Sequence, residues 1–475
     1  DALNHLGLAR EVVAIFGRAV GWPEIRLPED AQAATSRAAI EIADPDLCPR
    51  YTGRVALDVK VGPAPDGMRR RLELCRIRSI NNVADITNYV LLEAGHPTHA
   101  FDLDTLHGAK ILVRRARAGE CLRTLDGVER TLQRNHLVIA DSDRAVALAG
   151  IMGGGETEIS DRTTNVLIES AWFDPASIRR TARQLGMHTE ASHRFERGAD
   201  IEAAGWSNDR IAGLLAELAG ATVLGGLIDA YPTERRRAGI AVRAAAVRRH
   251  LGVDIAPQEI ERILRALGFE VAGEQVTPPS GRLDVEREID VIEEIARIWG
   301  YDRFPLRLPE WAGHAEPAQY AREQQRLRST AGALGYDEAI TSAFLSAGEA
   351  ERFGDAAAPA IRNPLSELHA VMRNSAVPGL LRAVEWNLNR GVSDVRLFEL
   401  GRLYRSEGDG FVEPPVLALA ATGAARPGVP YDVYELKADV GKLLELFELP
   451  AIRVVRTRPA SYYRSGRAAG VAIDG

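Results

Sequence analysis

The sequence predicts an α+β protein built from several domains. Its 475 residues would fill about three domains at roughly 100–200 residues each. Amphipathic helix patterns and alternating strand patterns are interleaved along the chain. Two polar joints, Glu234–Arg237 and Pro305–Pro317, separate three regions with different patterns. We therefore expect several separate hydrophobic cores.

The first region opens with an amphipathic helix and continues as a mixed domain. Apolar residues between positions 55 and 61 alternate with polar ones, which is typical of a half-buried strand. Asp126-Gly127 lies between two apolar runs and predicts a hairpin turn. Asp174-Pro175 predicts the start of a helix that Gly186 ends. Helices and strands alternate to about residue 230.

The second and third regions are predicted in less detail. The second begins with a strand and resembles a winged-helix arrangement in outline, with helices near Ala244–Leu251, from Ala256 or Pro257, and from about Val285, and two short strands between the last two. The third contains a helix over Tyr320–Leu334, strands that include Val395–Leu400 and Val416–Ala421, and a late helix over Leu436–Phe447.

Composition and charge exclude several classes of protein. Hydrophobic residues make up 46% and charged residues 26%, as in ordinary globular proteins. The longest apolar runs are far shorter than the roughly 20 residues of a membrane helix, and no signal segment opens the chain. We therefore expect a soluble, cytoplasmic protein with no membrane partner. The net charge of -7 argues against a basic coat for nucleic acid but permits local basic faces.

Four segments could line a site. His96 and His99 follow a helix stop at Gly95, in a loop where a histidine could orient substrate or water. Gly150–Gly155 permits close approach of a ligand but lacks the spacing of a nucleotide loop. Glu169 follows an apolar run, and Met187–Gly198 combines hydroxyls, histidines and charges. For each segment alone, a structural role such as a cap, turn or solvated surface is the more common reading.

An acidic group near residue 290 has two interpretations. Asp290, Glu293 and Glu294 share a helix face, and Asp284 could reach them from the preceding turn. Oxygen ligands of this kind suit Mg²⁺. Acidic residues also favour the positive end of a helix, and from the residues alone this second interpretation is the more common one.

Taken together, these segments resemble the beta subunit of bacterial phenylalanyl-tRNA synthetase over essentially the whole chain. The stretches that carry the resemblance are Ile86–Asp102, Ala149–Gly154, Ile168–Pro175, Gly186–Gly198, Asp284–Pro305 and Asn363–Gly391. The resemblance implies a helix and linker over 1–39, a B3/B4 tRNA-editing domain over 40–232, a B5 domain over 236–310, and over 316–475 a truncated, catalytically degenerate domain similar to a class II synthetase core with an antiparallel sheet. The family's amino-terminal OB-fold domain and carboxy-terminal anticodon-binding domain are expected to lie outside this piece.

The resemblance also implies a function and its residues. In this family the alpha subunit activates phenylalanine with ATP, and the beta subunit hydrolyses Tyr-tRNA(Phe) made in error. The implied reader of the tyrosine hydroxyl is Glu169, and the implied pocket residues are His99, Asn88, Thr189, Ala191 and Gly153. We expect His99 to orient a water molecule that attacks the ester, with Glu169 and Thr189 grouped with it as catalytic and the others as substrate-binding.

A metal site and partners follow from the same resemblance. Asp284, Asp290, Glu293 and Glu294 fall on the family's magnesium positions, at a site shared with the alpha subunit. The expected partners are the alpha subunit, in an α2β2 heterotetramer, and tRNA(Phe).

The chain departs from the family's motifs at two positions, and two alternative functions stay open. His96 stands where the family usually has Gln, and Gly281 where it usually has Trp. The alternatives are a free-standing aminoacyl-tRNA deacylase and a scaffold and tRNA-binding subunit that does not edit.

Overall fold

The computed structural model describes residues 2–308, 310, 313–316, 318–408, 410–456, 460, 462–464 and 468–473. The chain divides into two compact units, Asp1–Leu308 and Pro309–Gly475. The predicted joint at Pro305–Pro317 includes residues 309, 311, 312 and 317, which lie outside the described residues. The predicted division into four segments stays a prediction.

Residues 2–230 contain six α-helices and thirteen strands. The helices are α1 (His5–Phe16), α2 (Asp66–Leu74), α3 (Asn82–Ala94), α4 (Pro175–Gln184), α5 (Glu190–Phe195) and α6 (Ala203–Ala219). The strands are β1 (Glu29–Ala33), β2 (Ala39–Ile42), β3 (Arg50–Leu57), β4 (Thr98–Asp102), β5 (Lys110–Arg115), β6 (Cys121–Arg123), β7 (Glu129–Thr131), β8 (Leu137–Ala140), β9 (Ala145–Leu148), β10 (Met152–Gly153), β11 (Val166–Trp172), β12 (Thr222–Gly225) and β13 (Ile228–Ala230).

Two sheets form the centre of this region. The larger has the order β1-β12-β3-β11-β4, with β13 also paired to β3, and the smaller has the order β10-β9-β8-β5-β2. One apolar cluster, which includes Tyr51, Phe101 and Ile139, combines residues of both sheets. A second cluster joins the opposite face of the larger sheet to α2, α3 and α6. The larger sheet is therefore covered on both faces.

Burial of the larger sheet on both faces corrects one prediction. The strand expected to be half-buried over 55–61 is β3, which ends at Leu57 and is buried on both faces over Tyr51–Ala56. Its Arg54 is tolerated inside because it forms ion pairs with Glu29 and Asp209. The backbone turns at Asp58, which has a φ of 55°. The predicted Asp126-Gly127 turn is confirmed between β6 and β7, with Gly127 at φ 78°.

Helix caps follow the sequence signals. The Asp174 side chain accepts a hydrogen bond from the Ser177 amide at 2.8 Å and caps α4 as predicted. Gly186, at φ 63°, lies just beyond the end of this helix. Asn4 and Asn81 cap α1 and α3 in the same way as Asp174.

The remainder of the first unit is a small three-stranded sheet with three helices. Its elements are β14 (Ile240–Ala241), α7 (Ala244–Leu251), α8 (Pro257–Ala266), β15 (Glu270–Ala272), β16 (Gln275–Thr277) and α9 (Glu288–Trp299). The predicted order of elements is confirmed, but α9 begins three residues later than expected. The residues just before it form hydrogen bonds with Asp290 instead.

The second unit has short sheets and four helices among its described residues. Its elements are α10 (Ala321–Ala333), β17 (Asp337–Glu338), β18 (Phe344–Leu345), α11 (Ala347–Phe353), β19 (Val371–Met372), α12 (Val377–Leu388), β20 (Val395–Arg402), β21 (Arg405–Glu407), β22 (Gly410–Val412), β23 (Pro415–Thr422), β24 (Ala424–Arg426), β25 (Val429–Pro430), α13 (Val433–Leu444), β26 (Ile452–Val455) and β27 (Gly470–Ile473). β20 and β23 pair antiparallel over their full length, as expected, whereas β17 runs parallel to β20. In the part of the chain that the structure describes, no helix has the length and apolar character needed to cross a membrane.

Candidate active site

A cavity of about 240 Å³ opens beside β4, between α3, α5 and the loop after β9. All six residues predicted for the editing pocket line it: Asn88, His99, Gly153, Glu169, Thr189 and Ala191. They come from five separate elements and span about 100 positions of the sequence, so the fold alone brings them together. The cavity is also lined by apolar groups such as Leu125, Met152 and Phe195.

His99 and Glu169 lie side by side on the floor of the cavity. They are directly opposite each other in the antiparallel pair β4·β11. Opposite residues of such a pair point to the same face of the sheet. On its other side Glu169 pairs with Gly53 of β3, which places no side chain beside the carboxyl group. The register therefore fixes both functional groups on one rigid surface.

Glu169 is a buried carboxyl group with unused hydrogen-bonding capacity. Its residue is 6% exposed, and Oε2 has no hydrogen-bond partner among the described residues. Burial raises the pKa of Glu169 to about 8, because the charged form is poorly solvated there. At neutral pH the group is mainly a carboxylic acid, which can both donate and accept a hydrogen bond.

Tyr51 is a neighbour of Glu169 that the sequence analysis missed. It opposes Ala171 in the β3·β11 pair, so it lies diagonally from Glu169 on the same face. Its hydroxyl is buried and makes no well-formed hydrogen bond in the described chain, but it acts on Glu169 as a weak hydrogen-bond donor, which lowers the pKa of that carboxyl group against the larger effect of burial. No motif pointed to Tyr51, because only the strand register relates it to residue 169.

His99 presents a neutral imidazole to the cavity. Burial lowers its pKa to about 4, so the ring is uncharged near pH 7. Its Nε2 atom is buried and has no hydrogen-bond partner within the described residues. The edge of Phe101 supports the ring, with centroids 4.6 Å apart. A Cβ atom at Gly153 would lie 2.6 Å from His99 Cε1, so glycine is what lets the loop approach the ring.

Thr189 has a structural task that explains its place in the cavity. Its hydroxyl donates to the Ile151 carbonyl at 2.9 Å and accepts from the Ser192 amide at 3.0 Å. It thereby caps α5 and joins that helix to the loop after β9. Because its one hydroxyl proton is already donated, Thr189 positions α5 and the small side chain of Ala191.

Asn88, Glu190 and the two other threonines add further polar groups to the lining. Asn88 lies on α3 and is half-buried. Thr87 donates to the Ala84 carbonyl of its own helix at 2.7 Å. Thr98, at the start of β4, has a buried hydroxyl with no partner in the described part of the chain. Thr98 was not predicted, and a lone threonine gives no sequence signal for such a role.

His96 does not line the cavity. It is 1% exposed and packs edge-on against Phe195, with ring centroids 6.0 Å apart. Burial lowers its pKa to about 4. The departure at this position therefore lies behind Phe195 and not among the polar groups that line the cavity.

The predicted magnesium ligands Asp284, Asp290, Glu293 and Glu294 do not converge. Arg282 donates to Asp284 at 2.7 Å and to Glu294 at 2.7 Å, and Arg297 donates to Glu294 at 2.6 Å. Asp290 accepts hydrogen bonds from the amides of residues 286 and 287 and forms an ion pair with Arg287, while Glu293 is exposed.

Arginine therefore neutralises the carboxylates that a magnesium ion would require. The hydrogen bonds from Arg282 hold the pKa of Asp284 below its usual value. Burial acts to raise the pKa of Glu294, but Arg282 and Arg297 lower it overall. This arrangement fits an ion-pair network and does not fit Mg²⁺.

Among the described residues, a single group brings three potential metal ligands within 4.8 Å of one another, and it consists of His188, His193 and Glu196. Arg197 donates to His193 Nδ1 at 3.0 Å and to Glu196 at 2.6 Å. The guanidinium group thus already supplies the cation for this cluster.

Comparison with known proteins finds three family models that match successive parts of the chain. Residues 47–220 match the B3/4 domain, residues 240–301 the tRNA synthetase B5 domain, and residues 304–475 the phenylalanyl-tRNA synthetase beta chain CLM domain. The chain is 43% identical to the phenylalanine–tRNA ligase beta subunit of Geobacter sulfurreducens, over 99% of this chain and 61% of that relative. It is 47% identical to the same subunit of Anaeromyxobacter dehalogenans, over 85% of this chain and 52% of that relative. The chain thus spans about three fifths of the length of the curated relatives it matches most fully.

Proposed function

The chain belongs to the family of phenylalanine–tRNA ligase beta subunits, and on this premise we propose that it hydrolyses tyrosine wrongly esterified to tRNA(Phe). Activation of phenylalanine with ATP takes place, in this proposal, on an alpha subunit. The two subunits form an α2β2 heterotetramer that binds tRNA(Phe).

Such an enzyme needs a second site because tyrosine differs from phenylalanine by one hydroxyl group. An apolar pocket rejects an added hydroxyl by only about 100-fold. A separate hydrolytic site that binds the hydroxyl can remove the remaining errors. The cavity beside β4 has the size for a single amino-acid side chain, because it is smaller than the roughly 300–1,000 Å³ of drug-sized ligand sites.

The observation that carries the proposal is the unpaired carboxyl group of Glu169. A tyrosine hydroxyl entering the cavity can exchange a hydrogen bond with it, whereas a phenylalanine ring would leave the group unsatisfied. A buried polar group without a partner costs about 1–3 kcal/mol, which corresponds to a preference of roughly 5-fold to 150-fold for the tyrosyl ester. Ala191 and Gly153 keep the cavity wide enough for the ring.

Hydrolysis then requires only a positioned water molecule. The water oxygen bonds to the ester carbonyl carbon, the ester bond to the ribose breaks, and the ribose oxygen takes up a proton originating from the water. His99 can hold this water because its imidazole ring is neutral and its Nε2 has no other hydrogen-bond partner among the described residues. The Thr189 hydroxyl is committed to α5, so it is unsuited to act as a nucleophile.

One observation bears against a free-standing deacylase. Residues 304–475 match a domain of the ligase beta chain, and an enzyme that only cleaved esters would have no use for it. The scaffold that does not edit is the remaining alternative, and activity decides between it and the proposal.

The test is to fill the cavity. We expect Ala191→Trp, in the protein assembled with the alpha subunit, to abolish hydrolysis of Tyr-tRNA(Phe) while charging of tRNA with phenylalanine continues. Ala176→Trp, at an exposed position of α4, is the matched control and should hydrolyse normally. If wild type does not cleave the tyrosyl ester, the scaffold alternative holds. If Ala191→Trp cleaves it normally, the reaction takes place elsewhere.

A further inference from the structure

A groove of about 740 Å³ lies where α2 turns into α3, and arginine dominates its charge. Arg69, Arg76 and Arg78 line it together with a single acidic residue, Glu73. We call this surface the arginine groove. Residues 69–78 contain five arginines and one glutamate, in a chain whose net charge is -7. The groove is therefore a local positive surface on an acidic protein.

These guanidinium groups are available to a ligand. Arg76 and Arg78 are exposed, and their guanidinium groups have no hydrogen-bond or ion-pair partner among the residues that the structure describes. Arg69 contacts only Asp66, at 3.3 Å, in an exposed ion pair of the kind that contributes little stability. Ile80, which also lines the groove, is 67% exposed and adds apolar surface beside the charges.

The backbone holds Arg76 in a conformation that favours glycine. Its φ is 63°, in the left-handed region. The Ile77 amide donates to the Leu72 carbonyl at 2.9 Å, and the Arg76 amide donates to the Glu73 carbonyl at 2.9 Å. These two bonds form a Schellman motif with Arg76 at the position that glycine usually occupies. An arginine here is unfavourable for folding by about 1 kcal/mol relative to glycine. Folding stability therefore does not explain why an arginine occupies this position.

The helix α3 connects the groove to the cavity. This helix begins at Asn82, just beyond Ile80, and carries Asn88 into the cavity. Six residues of helix correspond to about 9 Å along the axis. An RNA strand whose aminoacylated end enters the cavity can therefore reach the groove within a short distance of that end.

We propose that the arginine groove binds phosphate groups of the RNA strand that leads to the esterified end in the cavity. This inference rests on the proposed function. Guanidinium groups suit the task because they form paired hydrogen bonds with phosphate oxygens and keep their charge. The groove supplies affinity and position, and Glu169 supplies selectivity.

The test measures binding of uncharged tRNA(Phe) to the intact protein by fluorescence anisotropy across a salt series. Three lost phosphate contacts should reduce the slope of log K against log[salt] by about 2 to 3. We expect this reduction and a loss of affinity for the triple variant Arg69→Gln/Arg76→Gln/Arg78→Gln. The matched control removes three exposed arginines of α4, Arg179→Gln/Arg180→Gln/Arg183→Gln, and should bind as wild type does.

A single variant separates binding from folding. Arg76→Gly removes a guanidinium group and relieves the left-handed strain, so we expect weaker RNA binding together with a higher melting temperature. Misfolding cannot produce that combination.

Three results would overturn the proposal. The first is a groove variant that binds RNA with the wild-type salt slope. The second is an equal loss of RNA affinity in the α4 control. The third is a groove variant that keeps RNA binding but no longer retains the alpha subunit, which would make the groove a protein contact. Because the tRNA is uncharged, these outcomes are independent of whether the cavity hydrolyses an ester.

Discussion

Glu169 is a cavity residue whose protonation changes just above neutral pH. Below about pH 4.5, its usual pKa, the carboxyl group carries a proton in both the folded and the unfolded chain. Between that value and its folded pKa of about 8, only the folded chain keeps the proton. The stability that this proton contributes is therefore lost as the pH rises towards 8.

Replacing Glu169 with glutamine should remove this pH dependence. From pH 6 to pH 9, we expect the free energy of unfolding of wild type to fall by about 3 kcal/mol relative to Glu169→Gln. Urea unfolding of both proteins at several pH values measures the difference. A constant difference across this range would mean that Glu169 is already ionised when folded.

Gly153 keeps His99 in place by having no side chain. A Cβ atom there would come within 2.6 Å and 2.7 Å of two atoms of the imidazole ring. We expect Gly153→Ala to displace the ring and reduce hydrolysis of the tyrosyl ester at least 10-fold. Gly155→Ala is the control, because a Cβ atom at that position meets no atom closer than 3.8 Å. Equal rates for the two variants would show that the position of His99 does not matter for the reaction.

The short helix α5 depends on its cap for its place beside the cavity. We expect Thr189→Val to lower the free energy of unfolding by about 1 kcal/mol, because the cap is lost, and to weaken hydrolysis because Ala191 moves. Thr189→Ser keeps the hydroxyl and should restore both. Denaturant unfolding and ester hydrolysis measure the two effects. Full stability of Thr189→Val with no hydrolysis would instead assign the hydroxyl to the chemistry.

Strand register, more than local pattern, decides which residues meet in the cavity. His99 and Glu169 are 70 positions apart and become neighbours only through the pairing of β4 with β11. Tyr51 joins them through the pairing of β3 with β11. The same packing explains why the alternating pattern of β3 was misleading, because α6 and the second sheet cover opposite faces of that strand.

An ion-pair network links α1 to α9 within the first unit. Arg297 donates to Glu294 and to Glu11 of α1, and Arg282 joins Glu294 to Asp284. Glu294 is 6% exposed, so its charge depends on these partners. We expect Arg282→Gln to lower the free energy of unfolding, measured by urea denaturation, by about 3 kcal/mol. The control Glu293→Gln, at an exposed position, should change it by less than about 0.5 kcal/mol.

The same network predicts the response to magnesium. Because arginine already neutralises the carboxylates, we expect added Mg²⁺ to leave the melting temperature of the chain unchanged at constant ionic strength. A saturable rise that Asp284→Asn abolishes would contradict the ion-pair description.

The sequence predicted the order of most helices and strands because their periods and caps are local properties. The six cavity residues that were predicted could be named only from family resemblance, since no spacing relates Asn88 to Gly153 or Thr189. The acidic group near residue 290 shows the limit of this approach. Its carboxylates suggested a metal site, and only the fold reveals that Arg282 and Arg297 lie among them.

The most direct test compares hydrolysis of Tyr-tRNA(Phe) and Phe-tRNA(Phe) by the protein assembled with the alpha subunit, in wild type and in Glu169→Ala. We expect wild type to cleave the tyrosyl ester selectively, and the variant to lose roughly 5-fold to 150-fold of that selectivity, as the removal of one buried hydrogen-bond partner implies. Unchanged selectivity in Glu169→Ala, or no cleavage of either ester by wild type, would contradict the assignment of Glu169 as the group that reads the tyrosine hydroxyl.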